Sequence, residues 1–258
     1  MEGKSQFFDF AAEVGLTKHI GGLEATGTLI ELCHITPDSY VLDVGCGVGV
    51  TPAYIASRLG CRVVGVDIKS KMVERSGEQA RREGVSHLTE FKVADAQDLP
   101  FEDNLFDAVI TESVAAFPED KLKAVGEFAR VAKPGGYVGL NETAWIKYPP
   151  PPEIVAWASQ EVGATVKPLT PEEWAGLLET AGLKDVVSKI YPIDVKDEAK
   201  SVLQRYGFRG MLRTMLRTLR LYLRSPDYRE FVQGVRQSGI TPENLTDYFG
   251  YGLFVGQK

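Results

Sequence analysis

An α/β fold with a mostly parallel sheet is predicted by three features of this chain. They are short β-branched apolar runs, helical-period segments that alternate with them, and a glycine-rich turn after the first run. That run and turn are residues 40–50, YVLDVGCGVGV, where Asp43, Gly45, Gly47 and Gly49 lie at the end of a strand and open a helix. Glycine lets the backbone bend sharply there and approach a ligand where a side chain would clash. The turn reads as a nucleotide-cradling loop.

The remaining elements follow in order. Residues 5–35 carry Phe7, Phe8, Phe10 and Ala11, then Leu23, Leu29, Ile30 and Leu32, at roughly helical spacing, with an interruption at Gly21 and Gly22. Strand 40–45, helix 51–59, strand 62–66, helix 70–83, strands 88–93 and 106–111, helix 120–132 and strand 136–142 come next. The sequence KPGG at 133–136 is a stop signal between the last two. The prolines at 149–152 read as a stiff crossover. Thr170 caps a helix over 171–181 with Pro171 in its first turn and Gly182 at its close, and a strand follows at 184–191. Residues 195–245 read as a helical block, and the chain ends on an apolar strand, GYGLFVG.

Composition narrows the function. A chain of 258 residues can bury one large α/β core with a smaller cap. No apolar run approaches membrane-spanning length, and the opening MEGKSQFFDF lacks the layout of a secretion signal, so a soluble cytoplasmic protein is expected. Cys33, Cys46 and Cys61 are spaced for neither a zinc site nor a disulfide framework, so no metal is expected and the thiols read as small hydrophobes. A net charge of -6 argues against general nucleic-acid affinity.

The second strand, RVVGVD, ends on Asp67, where a carboxylate can accept from both hydroxyls of a ribose. A dinucleotide loop reads GxGxxG, whereas this one reads GxGxG with Asp43 two residues ahead of Gly45. With LDVGCGVG and VVGVD, the later segments FKVADAQDLPF, NLFDAVI and LKAVGEFARVAKPGGYVGLNE complete five motifs in order. Over residues 38–142 the chain resembles a class I S-adenosylmethionine-dependent methyltransferase, of the small-molecule branch typified by ubiquinone, menaquinone and sterol methyltransferases. The resemblance implies a Rossmann-like seven-stranded sheet of order 3-2-1-4-5-7-6 with the last strand antiparallel. It divides the chain into a helical cap (1–36), a cofactor-binding core (37–194), a helical insert or lid (195–245) and a final core strand (246–258).

It further implies S-adenosylmethionine as methyl donor, S-adenosylhomocysteine as product, and a small apolar or lipid-like acceptor methylated by in-line displacement. Carried over to this chain, Gly45 and Gly47 border the methionine part, Asp43 its amino group and Asp67 the ribose. Ile68 and Met72 flank the adenine, Asp95 accepts from its exocyclic amine, and the Ala96 amide meets a ring nitrogen. Thr111 to Ser113 line the sulfonium and acceptor. The stretch HIGGLEAT at 19–26 resembles the segment that closes over the cofactor carboxylate, with the amides around Gly21 and Gly22 suited to the anion. Glu112 and His19 are the candidate bases.

Each assignment has a plainer rival: helix caps for Asp43 and Asp67, core packing for Ile68 and Met72, a turn for Asp95, a solvated loop for Glu112, a helix break for Gly21 and Gly22, and a packed ring for His19. His34 and His87 read as structural. The function also has a rival, a non-catalytic binder of the same cofactor, which a blocked surface beside residues 111–117 would favour. A nicotinamide dehydrogenase is the remote third reading. A nucleic-acid amino-methyltransferase is disfavoured by TESV after the fourth strand, where an Asn or Asp, two prolines and an aromatic would stand.

The largest composition shift lies at 205–229, where Arg205, Arg209, Arg213, Arg217, Arg220, Arg224 and Arg229 face one acid, Asp227. Met211, Leu212, Met215, Leu216, Leu219 and Leu223 supply an apolar stripe on the same helix. Three uses compete: a solvated basic face over a packed stripe, a lid over an apolar or anionic acceptor, and a membrane-surface or partner helix. The family habit of covering the acceptor with such insertions favours the lid. Tyr148, Tyr191, Tyr206, Phe208, Tyr222 and Tyr228 are candidates to line its pocket.

Overall fold

The computed structural model describes residues 2–17, 19–161, 168–193, 195–237 and 244–258. Its strands are β1 (Tyr40–Val44), β2 (Arg62–Asp67), β3 (Thr89–Val93), β4 (Phe106–Glu112), β5 (Ala132–Trp145), β6 (Lys184–Pro192) and β7 (Phe249–Gln257). The helices are α1 (Glu2–Val14), α2 (Gly22–Leu32), α3 (Val50–Leu59), α4 (Ser70–Arg82), α5 (Lys121–Val131), α6 (Pro152–Glu161), α7 (Pro171–Thr180), α8 (Val195–Arg224), α9 (Pro226–Gln237) and α10 (Leu245–Tyr248). The strands form one sheet in the order β3-β2-β1-β4-β5-β7-β6, with β7 antiparallel to both neighbours, as the resemblance implies.

β1 shows why the sheet is legible as a run of apolar residues. It pairs in parallel with β2 and β4, and helices cover both faces, so no alternation with polar residues is needed. Leu42 and Val44 enter the core on one face with Val64, Phe106, Phe128 and Trp174. Val41 enters the core on the other with Leu29, Ile55, Val63 and Leu253. All three cysteines are buried free thiols.

Three elements depart from expectation. Of the prolines 149–152 expected as a crossover, Pro152 instead opens a helix over 152–161, at a first-turn position where its missing N–H costs nothing. β5 begins at Ala132, and the KPGG signal forms a bulge opposite Asp107, with pairing resumed at Tyr137. The strand also runs on to Trp145, pairing Thr143 to Trp145 with β7.

The third departure concerns the arginine-rich helix. α8 is broken at Gly207 (φ 60, ψ 173), and its apolar stripe points outward: Leu212, Met215, Leu216, Leu219 and Leu223 are exposed. Gly210, Met211, Thr214, Thr218 and Leu221 turn toward the body instead. These are mostly slim residues that let the helix approach α1 and α2. Arg217 turns inward to Glu78 of α4, which also holds Arg75 and Arg82. A basic face over a packed stripe is therefore not what forms.

Candidate functional site

The glycine turn is hooked over β2. The Gly45 and Cys46 amides both donate to the Val66 carbonyl (2.7 and 2.9 Å), and Gly45, Gly47 and Gly49 all take positive φ. A Cβ on Gly45 would collide with Val114, and one on Gly47 would lie 2.9 Å from the Thr17 hydroxyl. Both glycines are thus required by close approach as well as by backbone angle.

Asp67 stands at the end of β2 facing this turn. One carboxylate oxygen accepts from the Gly47 amide (3.0 Å) and the other from the Lys69 amide (2.9 Å). Burial raises its pKa above the ordinary aspartate value, while the two amides and Lys69 oppose that rise. A cavity of about 300 Å³ opens between these groups at the C-terminal ends of the parallel strands. Asp43, Gly45, Gly47, Asp67, Ile68, Met72, Asp95 and Ala96 all line it. Met72 is buried, whereas Ile68 is exposed at the rim. Asp95 also accepts from the Gln97 amide (2.8 Å), so it is a turn residue and a cavity wall at once.

His19, Thr51 and Glu112, all buried, also line this cavity. Thr26 donates to one Glu112 oxygen (2.9 Å), and Asn141 approaches the same oxygen at 3.4 Å. Thr51 donates to the other (2.7 Å), and His19 Nδ1 lies 3.3 Å from it. His19 Nε2 faces the Gly22 carbonyl at 2.9 Å. The Thr26 hydroxyl lies 3.1 Å from the same nitrogen, so both ring nitrogens of His19 and both oxygens of Glu112 are engaged within one buried hydrogen-bonded group.

Three predicted residues lie elsewhere. Thr111 is fully buried and donates to the Val44 carbonyl (2.9 Å), tying β4 to β1 behind the cavity. Gly21 and Gly22 start α2, with Gly21 at φ 78, and neither lines the cavity. A Cβ on Gly21 would strike the Tyr251 ring at 2.6 Å, which explains the residue by packing against β7.

A second cavity, of about 410 Å³, adjoins the first, and Phe8, Thr17, Ser113 and Phe117 line both. Its walls are apolar: Phe10 and Val14 of α1, Trp157 of α6, Tyr228 and Phe231 of α9, and Phe249 of β7. Phe8 meets Phe117 edge-on at 5.1 Å, and Phe10 meets Tyr228 in the same way at 5.0 Å. The acid here is Glu142 of β5, which accepts from the Val114 and Ala115 amides (2.7 and 2.6 Å) and whose pKa burial pushes up to about 8. Sequence reasoning missed Glu142, Thr17 and Phe117. Glu142 was signalled only by its place at the carboxyl end of a sheet strand.

Of the six candidate aromatics, Tyr228 alone lines this second cavity. Tyr148, Phe208 and Tyr222 are exposed, and Tyr191 stacks on Tyr251 at 5.1 Å. Tyr206 acts at one remove: its hydroxyl accepts from the Thr17 amide (2.8 Å) and donates to the Thr17 carbonyl (2.6 Å). The described part of α8 lines neither cavity, so the covering elements are α1 and α9.

A seven-stranded sheet of this order, with a glycine turn and a second-strand aspartate around one cavity, is a Rossmann-like fold with the architecture that the family resemblance implies. Residues 42–140 match the methyltransferase-domain family. An uncharacterised protein of Haemophilus influenzae is 32% identical over 181 residues, covering 69% of this chain and 72% of its own. The chloroplastic tocopherol O-methyltransferase of Arabidopsis thaliana is 35% identical over 133 residues, covering 52% of this chain and 34% of the enzyme, so the match spans about a third of that relative. The solved structure of the [4+2]-cyclase SpnF superposes with a TM-score of 0.72 at 20% identity, over 98% of this chain and 94% of that one, a likeness of fold. The chain belongs to the S-adenosylmethionine-dependent methyltransferases.

Proposed function

We propose that this protein transfers a methyl group from S-adenosylmethionine to a small, largely apolar molecule held in the second cavity. The observation that carries the reading is the junction at Thr17, Ser113 and Phe117, where a polar glycine-floored cavity meets an apolar one. The first cavity fits the donor: Gly45 and Gly47 let Val114 and Thr17 of its lining pack directly against the turn, and Asp67 stands where a ribose needs an acceptor. In this reading Met72 and Ile68 flank the adenine, with Asp95 and the Ala96 amide at its edge. Asp43 and the His19–Glu112–Thr51 group hold the amino-acid end.

When bound, the donor supplies a methyl group that its sulfonium makes electrophilic. The chain's own work is then to align the acceptor and keep water out. Phe8, Phe117 and the Thr17 loop form the shared wall, and Tyr206 latches that loop from behind. Glu142 is the polar group offered to the acceptor, and with its pKa near 8 it carries a proton at neutral pH and donates a hydrogen bond. By analogy with the tocopherol relative, and as a guide to chemistry only, the acceptor is an apolar body bearing one polar atom.

Methyl-labelled S-adenosylmethionine incubated with the protein and fractionated cell extract tests the reading. Label recovered in an organic-soluble, lipid-like fraction is the expected result. Label on RNA or protein would overturn it. The open second cavity beside residues 113–117 supports the catalytic reading over a non-catalytic cofactor binder, for which that surface has no need to be hollow.

A further inference from the structure

α8 presents a face that the fold does not use. Leu212, Met215, Leu216, Leu219, Tyr222 and Leu223 recur at three- and four-residue spacing, so they share one side of the helix, and every one of them is exposed. Phe208, at the kinked end, is 79% exposed. A row of this kind is the strongest apolar feature on the described surface, far from the scattered single hydrophobics that surfaces carry routinely. Along its flank run Arg213, Arg220 and Arg224, all exposed. From Tyr206 to Arg224 the helix holds no acidic residue, in a chain whose net charge is -6.

We propose that this face docks the protein onto an anionic lipid surface, with the leucines and Met215 entering the acyl boundary and the arginines meeting headgroup phosphates. Charge decides among occupants. A second copy packed on the same face would bring arginine rows against arginine rows with no acid between them, so self-association through it is disfavoured. A bilayer that carries negative headgroups above an apolar interior matches both parts of the face at once. The ring of Phe208 adds apolar bulk near one end, and Tyr222 near the other has the amphipathic ring that settles at headgroup level.

The helix is also fixed from behind. Arg217 reaches Glu78 of α4 at 3.5 Å, and Thr214 is buried against the body, so the outward face is presented at a set rotation. α9, which follows directly, supplies Tyr228 and Phe231 to the apolar cavity. Docking through α8 would therefore bring the wall of that cavity beside the membrane, a placement that suits an acceptor drawn from the bilayer. The docking itself stands on α8 alone and does not depend on which acceptor is methylated.

Flotation of the full chain with vesicles tests the proposal. Vesicles of equimolar phosphatidylcholine and phosphatidylglycerol should carry the protein up the gradient, and phosphatidylcholine vesicles should not. The triple variant Arg213→Gln, Arg220→Gln, Arg224→Gln should weaken binding by about a hundredfold, taking each basic residue as roughly fivefold. The pair Leu216→Glu, Leu219→Glu should abolish it, while S-adenosylhomocysteine affinity stays within about twofold of wild type as the check on folding. Absence of binding to the anionic vesicles overturns the proposal, and so does binding that both variants retain. A concentration-dependent dimer in light scattering that Leu216→Glu, Leu219→Glu dissolves would assign the face to a second copy and overturn it equally. Failure of the label experiment above leaves these outcomes untouched, so the two readings stand or fall separately.

Discussion

The two adjoining cavities are made in opposite ways. The first cavity, proposed for the donor, draws its polar lining from short local segments, the 43–47 turn, the end of β2 and the 94–97 segment, which Phe8, Thr17, His19 and the 112–119 segment complete. The acceptor cavity is built from large side chains whose sequence positions run from Phe8 to Phe249. The first demands particular residues, because a Cβ at position 45 or 47 would strike Val114 or Thr17, and under the proposed function Asp67 must be an acid at one point. The second demands only apolar bulk of suitable shape, which many residue sets provide. A fixed donor site beside a replaceable acceptor wall lets one fold serve different acceptors, and the same fold in a [4+2]-cyclase shows how far the chemistry beside it can change.

The largest predicted effect separates crowding from backbone strain. Gly45 and Gly60 take nearly the same positive φ (+77 and +76), but a Cβ meets Val114 at Gly45 and nothing within 4 Å at Gly60. Alanine at either position costs about 1–2 kcal/mol of stability through strain. Calorimetric titration with S-adenosylhomocysteine should show a loss of about a hundredfold for Gly45→Ala, on the order of 3 kcal/mol, and almost none for Gly60→Ala. Equal losses would mean that strain, and not occupancy of the cradle, sets the requirement.

The next test strikes the other cavity. Phe231→Asp places a charge among Phe10, Tyr228 and Phe249, and the acceptor KM should rise about tenfold or more, since a desolvated carboxylate costs several kcal/mol. The S-adenosylhomocysteine affinity should move by less than about twofold. A parallel fall in donor affinity would break the division between the cavities.

That division also explains what the sequence disclosed. The alternation of strands and helices, the glycine turn and the place of Asp67 were legible because each is a local pattern with a local physical cause, whereas the strand order came only from the family resemblance that those patterns carry. Residues such as Glu142 and Phe117 carry no local pattern that separates a cavity wall from ordinary packing. Their role appears only when α1 and α9 fold across the carboxyl ends of the strands. The misplacements have the same origin. Gly21 and Thr111 sit in suggestive positions of sequence, yet the Tyr251 ring claims the first and the Val44 carbonyl the second. The outward stripe of α8 went unread because periodicity reports that a helix has two faces and not which of them meets the core.

A smaller effect is expected where the cavities share a wall. Tyr206→Phe removes the hydroxyl that satisfies both the amide and the carbonyl of Thr17, a loss of about 1–3 kcal/mol. If the Thr17 loop closes both cavities together, donor affinity and acceptor KM should each worsen by roughly five- to tenfold in steady-state kinetics and titration. A change in one constant alone would show that the two sides close independently.

The last prediction concerns pH. Glu142 has a folded pKa of about 8 against an ordinary value of 4.5, because burial disfavours its charge more than the amides of the 114–116 turn favour it. With the folded value raised, its contribution to stability is complete below about pH 4.5 and is lost as pH rises through 8. Thermal melts from pH 5 to 9 should therefore fall faster for the wild type than for Glu142→Gln, whose amide has no charge to desolvate. A tenfold change in proton affinity is worth about 1.4 kcal/mol at most, so the curves should diverge by a few kcal/mol, or roughly 5–10 °C in Tm. The acceptor KM should rise above pH 8 in the wild type as the donated hydrogen bond is lost. It should stay level in Glu142→Gln, where an N–H takes over that donation while the amide oxygen still accepts from Val114 and Ala115. Parallel pH curves for both proteins would place Glu142 as a support of the turn with no role toward the acceptor.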